Sequence, residues 1–392
     1  MGHRLKVAIF SGVIPSSTFI ERLINGLALS DDIEVQMFGM LQSKTQYGKQ
    51  IKVFGYRNNK WSKLILLLKY TVLLTLFKRK AKNKLDQLLK SENRLTLLNR
   101  LKFYPVLWHQ PHIFHLQWAK GLKDWIWVRD FDMKLVLSLR GTQINQSPVA
   151  DKELANDYKS LFPHVDAFHS VSKDIAEQAQ KYAAKKENIK VIYSGIEPMT
   201  LQKSQKKESN VLKIISVGRP HWVKGYTYAL DACKLLKDKS FNFEYTIIGA
   251  SKNIELAYQI QDLGLQDCVK LFDTMPFEKV QQAICNSDLF LLPSLNEGLA
   301  NVVLESMMHK TLVLTTDCGG MSEVVSESIN GFIVPIRDSK AMSEKILEIS
   351  ILSEAERKKL TENAFTTVRE QHNTKQMING MLQLYKELHD AK

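Results

Sequence analysis

The sequence predicts an α/β protein built from two doubly wound parallel sheets, each in its own domain. Short apolar, strand-like runs alternate with amphipathic helical stretches along the whole chain. One aperiodic polar stretch, residues 200–210 (TLQKSQKKESN), divides that alternation into halves. Size agrees: at about 100–200 residues per domain, a chain of 392 residues has material for two full cores.

In the first half, residues 6–10, 34–38, 112–116, 134–139, 167–171 and 189–193 read as strands, with helices over 19–29 and 173–184. In the second half, strands at 213–217, 244–248, 269–272, 289–292, 311–315 and 332–334 are interleaved with helices near 226–237, 254–263, 277–285, 300–308 and 321–326. Such alternation gives parallel sheets wound by right-handed crossovers. The domains are expected at 1–198 and 199–376, with a last helix, within 377–392, packing back on the first. Two such domains facing each other leave a cleft at the carboxyl ends of both sheets, where these folds bind ligands.

The net charge of +13 is unevenly spread: residues 60–102 hold twelve Lys and Arg against Asp86 and Glu92, so +10 lies in 43 residues. Within this block, residues 64–77 are apolar on nearly all helical faces, interrupted by Lys69, and a cationic run follows at 78–84. As a helix the apolar part is about 21 Å long, short of a bilayer core of roughly 30 Å. The expectation is a core helix with a solvated cationic end. The competing reading is a helix in residues 64–84 docked on an anionic membrane surface. Nucleic acid ranks third, because no aromatic residue is interleaved with the cations of residues 78–98. The apolar run at 7–10 is too short for a signal-peptide core and reads as a strand. Cys233, Cys268, Cys285 and Cys318 lack metal or redox spacing and read as reduced thiols of a cytosolic protein.

Three segments carry chemistry. In residues 214–225 a strand ends at Gly218 and a loop presents Arg219 and Lys224, a planar fork and a point charge suited to phosphate oxygens. Alone, they read equally well as solvated loop cations. In residues 289–306 an apolar strand leaves through Pro293 and Ser294, and a helix starts near Gly298. The free backbone N–H groups of Gly298, Leu299 and Ala300 make an anion site suited to a diphosphate. Glu297 and Glu305 flank it, at most about 12 Å apart along a helix, so one can reach a sugar and the other a ribose. Taken singly, they read as a capping and a solvated glutamate. The third segment, residues 313–325, is a strand, a Gly-Gly turn and a helix start.

In this order the segments resemble the large family of retaining glycosyltransferases with two facing Rossmann-like domains: glycosyltransferase family 4, the glycosyl transferases group 1, with the GT-B architecture. The matching residues are Val217-Gly218-Arg219 with Lys224-Gly225, Pro293-Ser294 with Glu297-Gly298 and Glu305-Ser306, then Asp317-Cys318-Gly319-Gly320 with Glu323-Val324-Val325, and Gly331 to Pro335. Weaker likeness covers Pro15 to Phe19, Pro111 to His115 and Ser194 to Glu197. The resemblance implies that Arg219 and Lys224 neutralise a departing nucleotide diphosphate, Glu297 binds donor-sugar hydroxyls and Glu305 holds the ribose. It implies that Gly12 lets the first loop approach the diphosphate and that the base stacks near Phe272. Gly218, Gly298, Leu299 and Ala300 complete the donor site, while Ser16, Thr18, His115 and Arg140 contact acceptor or sugar.

The implied reaction moves a sugar, with retained configuration, from a nucleotide sugar (UDP ahead of GDP) to a glycan or lipid-linked acceptor. It implies no cofactor and no required metal, and a role in surface polysaccharide or glycolipid synthesis, in the cytoplasm or on the inner face of the cell membrane. Alternatives are a nucleotide-sugar epimerase on the same architecture and a non-catalytic sugar-nucleotide-binding module at the membrane. Where the family often has Gly-Gly, His-Gly and Gly, this chain has Ser11-Gly12, Arg140-Gly141 and Asp273. A permanent cation at Arg140 is expected to favour an anionic or amidated donor or acceptor. His109, His112 and His115 are three residues apart, but strand alternation sends His112 and His115 to opposite faces, against a shared metal.

Overall fold

The computed structural model describes residues 4–43, 45–199, 201 and 210–391. Most of the expected linker at 200–210 lies outside the described residues. The chain forms two compact units. One comprises the residues up to Val171 with Ile175–Ile192 and the segment from Thr374 onward; the other comprises Ser172–Asp174 and Tyr193–Asn373. The first unit therefore ends at 192, six residues ahead of the expected boundary.

The first unit holds a seven-stranded, wholly parallel sheet: β1 (Leu5–Ile14), β2 (Ile33–Leu41), β3 (Ile51–Arg57), β4 (Ile113–Leu116), β5 (Lys134–Leu139), β6 (Ala167–Ser170) and β7 (Ile189–Val191), in the order β3-β2-β1-β4-β5-β6-β7. Two details depart from the sequence reading. An additional strand, β3, forms one edge. β1 does not end at Phe10: after a register shift between Ile9 and Gly12 it pairs on, Gly12 with Gly39 and Ile14 with Leu41. Gly12 thus sits in a β-bulge within the strand and not in a free loop, with φ +90° and open space where a side chain would project. Helices Thr18–Leu27 and Thr374–Asp390 bury Ile20, Leu23, Leu27, Met381 and Leu384 in the same core as Val7, Val35 and Val136. Full burial of each such side chain is worth about 1.5–3 kcal/mol.

The expected core helix is Lys60–Phe77, begun by Asn59, whose side chain accepts from the Ser62 N–H at 2.7 Å. It is only half a core helix. Tyr70 and Leu74 are buried, but Trp61, Leu64, Ile65, Leu68, Val72, Leu76 and Phe77 are exposed. An apolar stretch with no polar face carries no signal of which side turns inward, so periodicity cannot orient it.

The second unit has a six-stranded parallel sheet: β8 (Leu212–Val217), β9 (Phe243–Ile248), β10 (Val269–Phe272), β11 (Leu289–Leu292), β12 (Leu312–Thr316) and β13 (Phe332–Val334), ordered β10-β9-β8-β11-β12-β13. Its central strand β11 is apolar and buried on both faces because both are covered. Ile214, Leu289 and Leu291 join a core with helices Tyr226–Asp238, Ile254–Asp262 and Ser339–Ser350. Ile215, Phe290 and Leu292 join one with helices Phe277–Cys285, Asn301–Met308 and Glu354–Gln371. The expected helix at 321–326 is instead a short 3₁₀ turn, Gly319–Glu323, which the two glycines begin.

Candidate active site

Each sheet reverses its strand order once, between β1 and β4 in the first unit and between β8 and β11 in the second. Open α/β sheets bind ligands beyond the carboxyl ends of the strands at that reversal. In the second unit the segments leaving β8 and β11 are the two that carry Arg219, Lys224 and Glu297.

Lys224 donates from Nζ to Glu297 Oε1 at 2.7 Å, and Ser294 Oγ donates to the same oxygen at 2.8 Å. The Lys224 and Glu297 side chains are 23% and 16% exposed, so the pair is largely screened from water yet reachable. The two loops are stitched together: the Leu295 N–H donates to the Val223 carbonyl at 2.7 Å, and the Thr316 hydroxyl donates to the Ser294 carbonyl. Gly225, at φ +63°, lies where a Cβ would strike the Pro293 carbonyl oxygen; Gly319, at φ +57°, lies where one would strike the Glu297 carbonyl oxygen. Both positions demand glycine, for conformation and for space. Arg219 is exposed and, among the described residues, enters no ion pair. The Cys318 thiol is pushed up to about 12, chiefly by burial, and is no nucleophile at neutral pH.

The helix after β11 is Asn301–Met308, within a residue of the expected 300–308 but three beyond the start expected near Gly298. The N–H groups of Gly298, Leu299 and Ala300 therefore belong to the loop before it, and among the described residues they bond to nothing. Ala300 caps the helix without a side-chain bond, and Asn301 Oδ1 is buried without a partner. Unbonded donors at a helix start favour an anion. Glu305 accepts from Gln281 Nε2 at 2.8 Å, and Gln281 Oε1 meets His309 Nε2 at 2.8 Å. Phe272 ends β10 partly exposed, its carbonyl accepting from the N–H groups of Gly249, Ala250 and Ser251. Gly218 follows β8, and its carbonyl accepts from the Tyr226 hydroxyl at 3.2 Å. A cavity of about 610 Å³ opens beside this loop, lined by Trp222, Tyr228, Asn253, Glu255, Leu295 and Arg337 among others.

In the first unit Gly12 borders a cavity of about 270 Å³ that also touches Phe38, Tyr56, Leu66, Lys102 and Trp125. Ser16 donates its N–H to Glu21 Oε1 at 2.6 Å, and Thr18 is an exposed first residue of its helix. His115 is closed off from solvent. It is fully buried, with Nδ1 2.6 Å from the Tyr385 hydroxyl and Nε2 2.8 Å from Ser138 Oγ. His169 meets Ser138 through Nδ1 at 2.9 Å and the Ile192 carbonyl through Nε2 at 3.0 Å. Because that carbonyl only accepts, the order of donors is set: Tyr385 to His115, His115 to Ser138, Ser138 to His169, His169 to Ile192. Burial, with Arg140 nearby, holds His169 down to about 3 and His115 well below the ordinary imidazole range, so both rings are neutral. The strand pleat turns His115 toward Tyr385 of the last helix. His109 stacks on Phe54 and His112 accepts from the Lys6 N–H, so the three histidines part ways.

Arg140, just past β5, has its guanidinium 4.5 Å from the Phe19 ring and donates from Nη2 to Gln117 Oε1 at 3.0 Å. Its Nε and the Nε2 of fully buried Gln117 have no partner. Burial lowers Arg140 to about 10, which still leaves it cationic at neutral pH. Asn301, Gln117 and Tyr385 were not singled out by sequence reasoning, and Ser294 was named only within the Pro293-Ser294 motif, without its bond to Glu297.

Two wholly parallel, helix-covered sheets, each with one strand-order reversal, define a GT-B fold. Residues 199–367, nearly the whole of the second unit, match the family model of glycosyl transferases group 1. Over 225 residues the chain is 30% identical to the amylovoran biosynthesis glycosyltransferase AmsK of Erwinia amylovora, covering 55% of each chain. Over 246 residues it is 28% identical to the putative colanic acid biosynthesis glycosyltransferase WcaL of Escherichia coli, covering 60% of each. The chain thus spans little more than half the length of these curated relatives. The crystal structure of Anabaena HepE in complex with UDP and glucose superposes with a TM-score of 0.70 at 16% identity, covering 98% of this chain and all of that one.

Proposed function

We propose that this protein is a retaining glycosyltransferase that moves a sugar from a nucleotide diphosphate sugar, a UDP-sugar first, to a glycan or lipid-linked acceptor in polysaccharide synthesis. The observation that carries the reading is the Lys224–Glu297–Ser294 cluster beside three unbonded backbone N–H groups and an unpaired Arg219. The names of AmsK, for amylovoran biosynthesis, and of WcaL, for putative colanic acid biosynthesis, and the UDP and glucose in HepE support the substrate class.

In this reading the diphosphate lies on the N–H groups of residues 298–300 with Arg219 across it, and Glu297 accepts from donor-sugar hydroxyls. The bond from the anomeric carbon to the phosphate oxygen breaks as the acceptor oxygen bonds that carbon from the same face. The acceptor proton passes to the leaving phosphate. Arg219 and Lys224 meet the charge that develops there, the task a divalent cation performs elsewhere. The cysteines Cys233, Cys268, Cys285 and Cys318 are all free thiols, which fits a reducing cytoplasm. No helix among the described residues is long and apolar enough to cross a membrane, and a lipid-linked acceptor would be met at the membrane's inner face.

The test is calorimetric titration with UDP, GDP and ADP, followed by donor turnover with and without acceptor. UDP is expected to bind best, and sugar release as a changed epimer without acceptor would favour an epimerase. No nucleotide binding at all would defeat the proposal.

A further inference from the structure

We propose that the exposed face of helix Lys60–Phe77 is a docking surface for an anionic lipid membrane, lying flat in the headgroup region. Trp61, Leu64, Ile65, Leu68, Val72 and Leu76 recur at intervals of three and four residues, so at 100° per residue they fall within an arc of about 120°. All six are 45–76% exposed. Soluble surfaces seldom line up six large apolar side chains, one of them a tryptophan, in one stripe. The opposite side of the same helix is already used: Tyr70 and Leu74 are buried. The helix therefore has two apolar faces and one core, and the second face is unclaimed.

The charge around the stripe selects the occupant. Lys60 and Lys69 lie on the helix, Arg79 and Lys80 begin the next helix, Arg79–Ser91, and Lys90 lies in its last turn. All five are exposed and, among the described residues, none pairs with a carboxylate. The acidic residues nearby are spent on other cations, Asp86 on Lys82 at 2.8 Å and Glu92 on Arg94 at 2.7 Å. Unpaired cations flanking an apolar stripe match acyl chains beneath anionic headgroups. They oppose a second copy of this chain, which would bring two strongly positive surfaces together. At 18 residues, about 27 Å, and with Lys69 midway, the helix suits the interface plane better than a span.

The inner side of this helix also contributes Leu66 to the 270 Å³ cavity that holds Gly12. A lipid-linked acceptor would enter that cavity from the membrane side. This last step rests on the transferase reading; the docking does not.

The test is co-sedimentation of the full chain with vesicles of phosphatidylcholine, alone or with about 30% phosphatidylglycerol, at low and high salt. Binding is expected on the anionic vesicles and is expected to weaken with salt. Leu68→Asp/Val72→Asp and, separately, Arg79→Glu/Lys80→Glu should each lower the partition coefficient about 10-fold or more. Melting temperatures should not move, because these side chains are exposed. Equal binding to neutral vesicles, no binding, or binding unchanged by either variant would overturn the proposal. So would a dimer in light scattering that Leu68→Asp/Val72→Asp dissociates while vesicles go unbound. UDP titration of the same protein reads the donor site independently, so the two proposals can fail separately.

Discussion

Glu297→Gln separates the functional role of the Lys224–Glu297 pair from its structural one. Glutamine keeps the oxygen that accepts from Ser294 Oγ at 2.8 Å, so the loop retains its shape. What is lost is the charge opposite Lys224 Nζ, 2.7 Å away. Both side chains are mostly but not fully covered, which places the stability loss between an exposed and a buried pair, about 1–2 kcal/mol. Two further effects have opposite signs. Transfer should fall about 100- to 1,000-fold, the usual loss when one preorganised polar contact to the reacting group goes. UDP should bind about 3- to 10-fold tighter, because Lys224 is released to meet the diphosphate. Calorimetry with UDP and steady-state transfer kinetics measure the two. Transfer at the normal rate, or UDP binding weakened in step with transfer, would refute this assignment.

Gly319→Ala should destabilise the protein by about 2–4 kcal/mol in thermal unfolding and lower transfer, since the methyl meets the Glu297 carbonyl at a positive φ; an unchanged melting temperature would count against it. Stability should fall as pH drops from 7 toward 5. His169 holds a folded value of about 3 against the ordinary 6.5, so the unfolded chain binds its proton first, and this group alone contributes about 2 kcal/mol of loss at pH 5. His169→Gln should flatten that part of the profile in denaturant titrations. Arg140→His should reduce any preference for a donor or acceptor bearing a carboxylate or phosphate by about 10-fold, read as a ratio of kcat/KM values against a neutral analogue. An unchanged ratio would remove Arg140 from substrate recognition.

The second unit was far more legible in the sequence than the first, for physical reasons. Its strands are short, mostly apolar blocks bounded by turn residues, and 269–272, 289–292 and 332–334 have the bounds of β10, β11 and β13. β3 escaped notice because Lys52 and Gly55 interrupt an edge strand that needs only partial burial. The extension of β1 beyond Phe10 depends on a bulge at Gly12, and a bulge has no period to read. Site residues at loop positions could be named from local pattern, but their partnerships could not. Lys224 and Glu297 are 73 residues apart, and His115 and Tyr385 are 270 apart. His115 shows the hazard plainly: its place near a strand end suggested ligand contact, while the pleat and the last helix enclosed it.

On the proposed transferase reading, the two cations of the second-unit site have different work. Arg219 is unpaired before any ligand arrives, whereas Lys224 is held by Glu297 and contributes little net charge. An intact nucleotide diphosphate sugar can be met by Arg219 and the N–H groups of residues 298–300 without disturbing the pair. As the sugar–phosphate bond breaks, the leaving phosphate gains a further negative charge until it takes the acceptor's proton. Lys224, turning from Glu297 toward that oxygen, would supply stabilisation that the ground state does not receive, and only such differential stabilisation raises kcat. Arg219→Met should therefore weaken UDP binding about 10-fold or more, with a smaller effect on kcat at saturation. Lys224→Met should leave UDP affinity within about 3-fold and lower kcat about 100-fold or more. If both variants lost affinity and turnover alike, the two cations would be one undifferentiated anion site, and the Lys224–Glu297 pair would have no separate role in the transfer step.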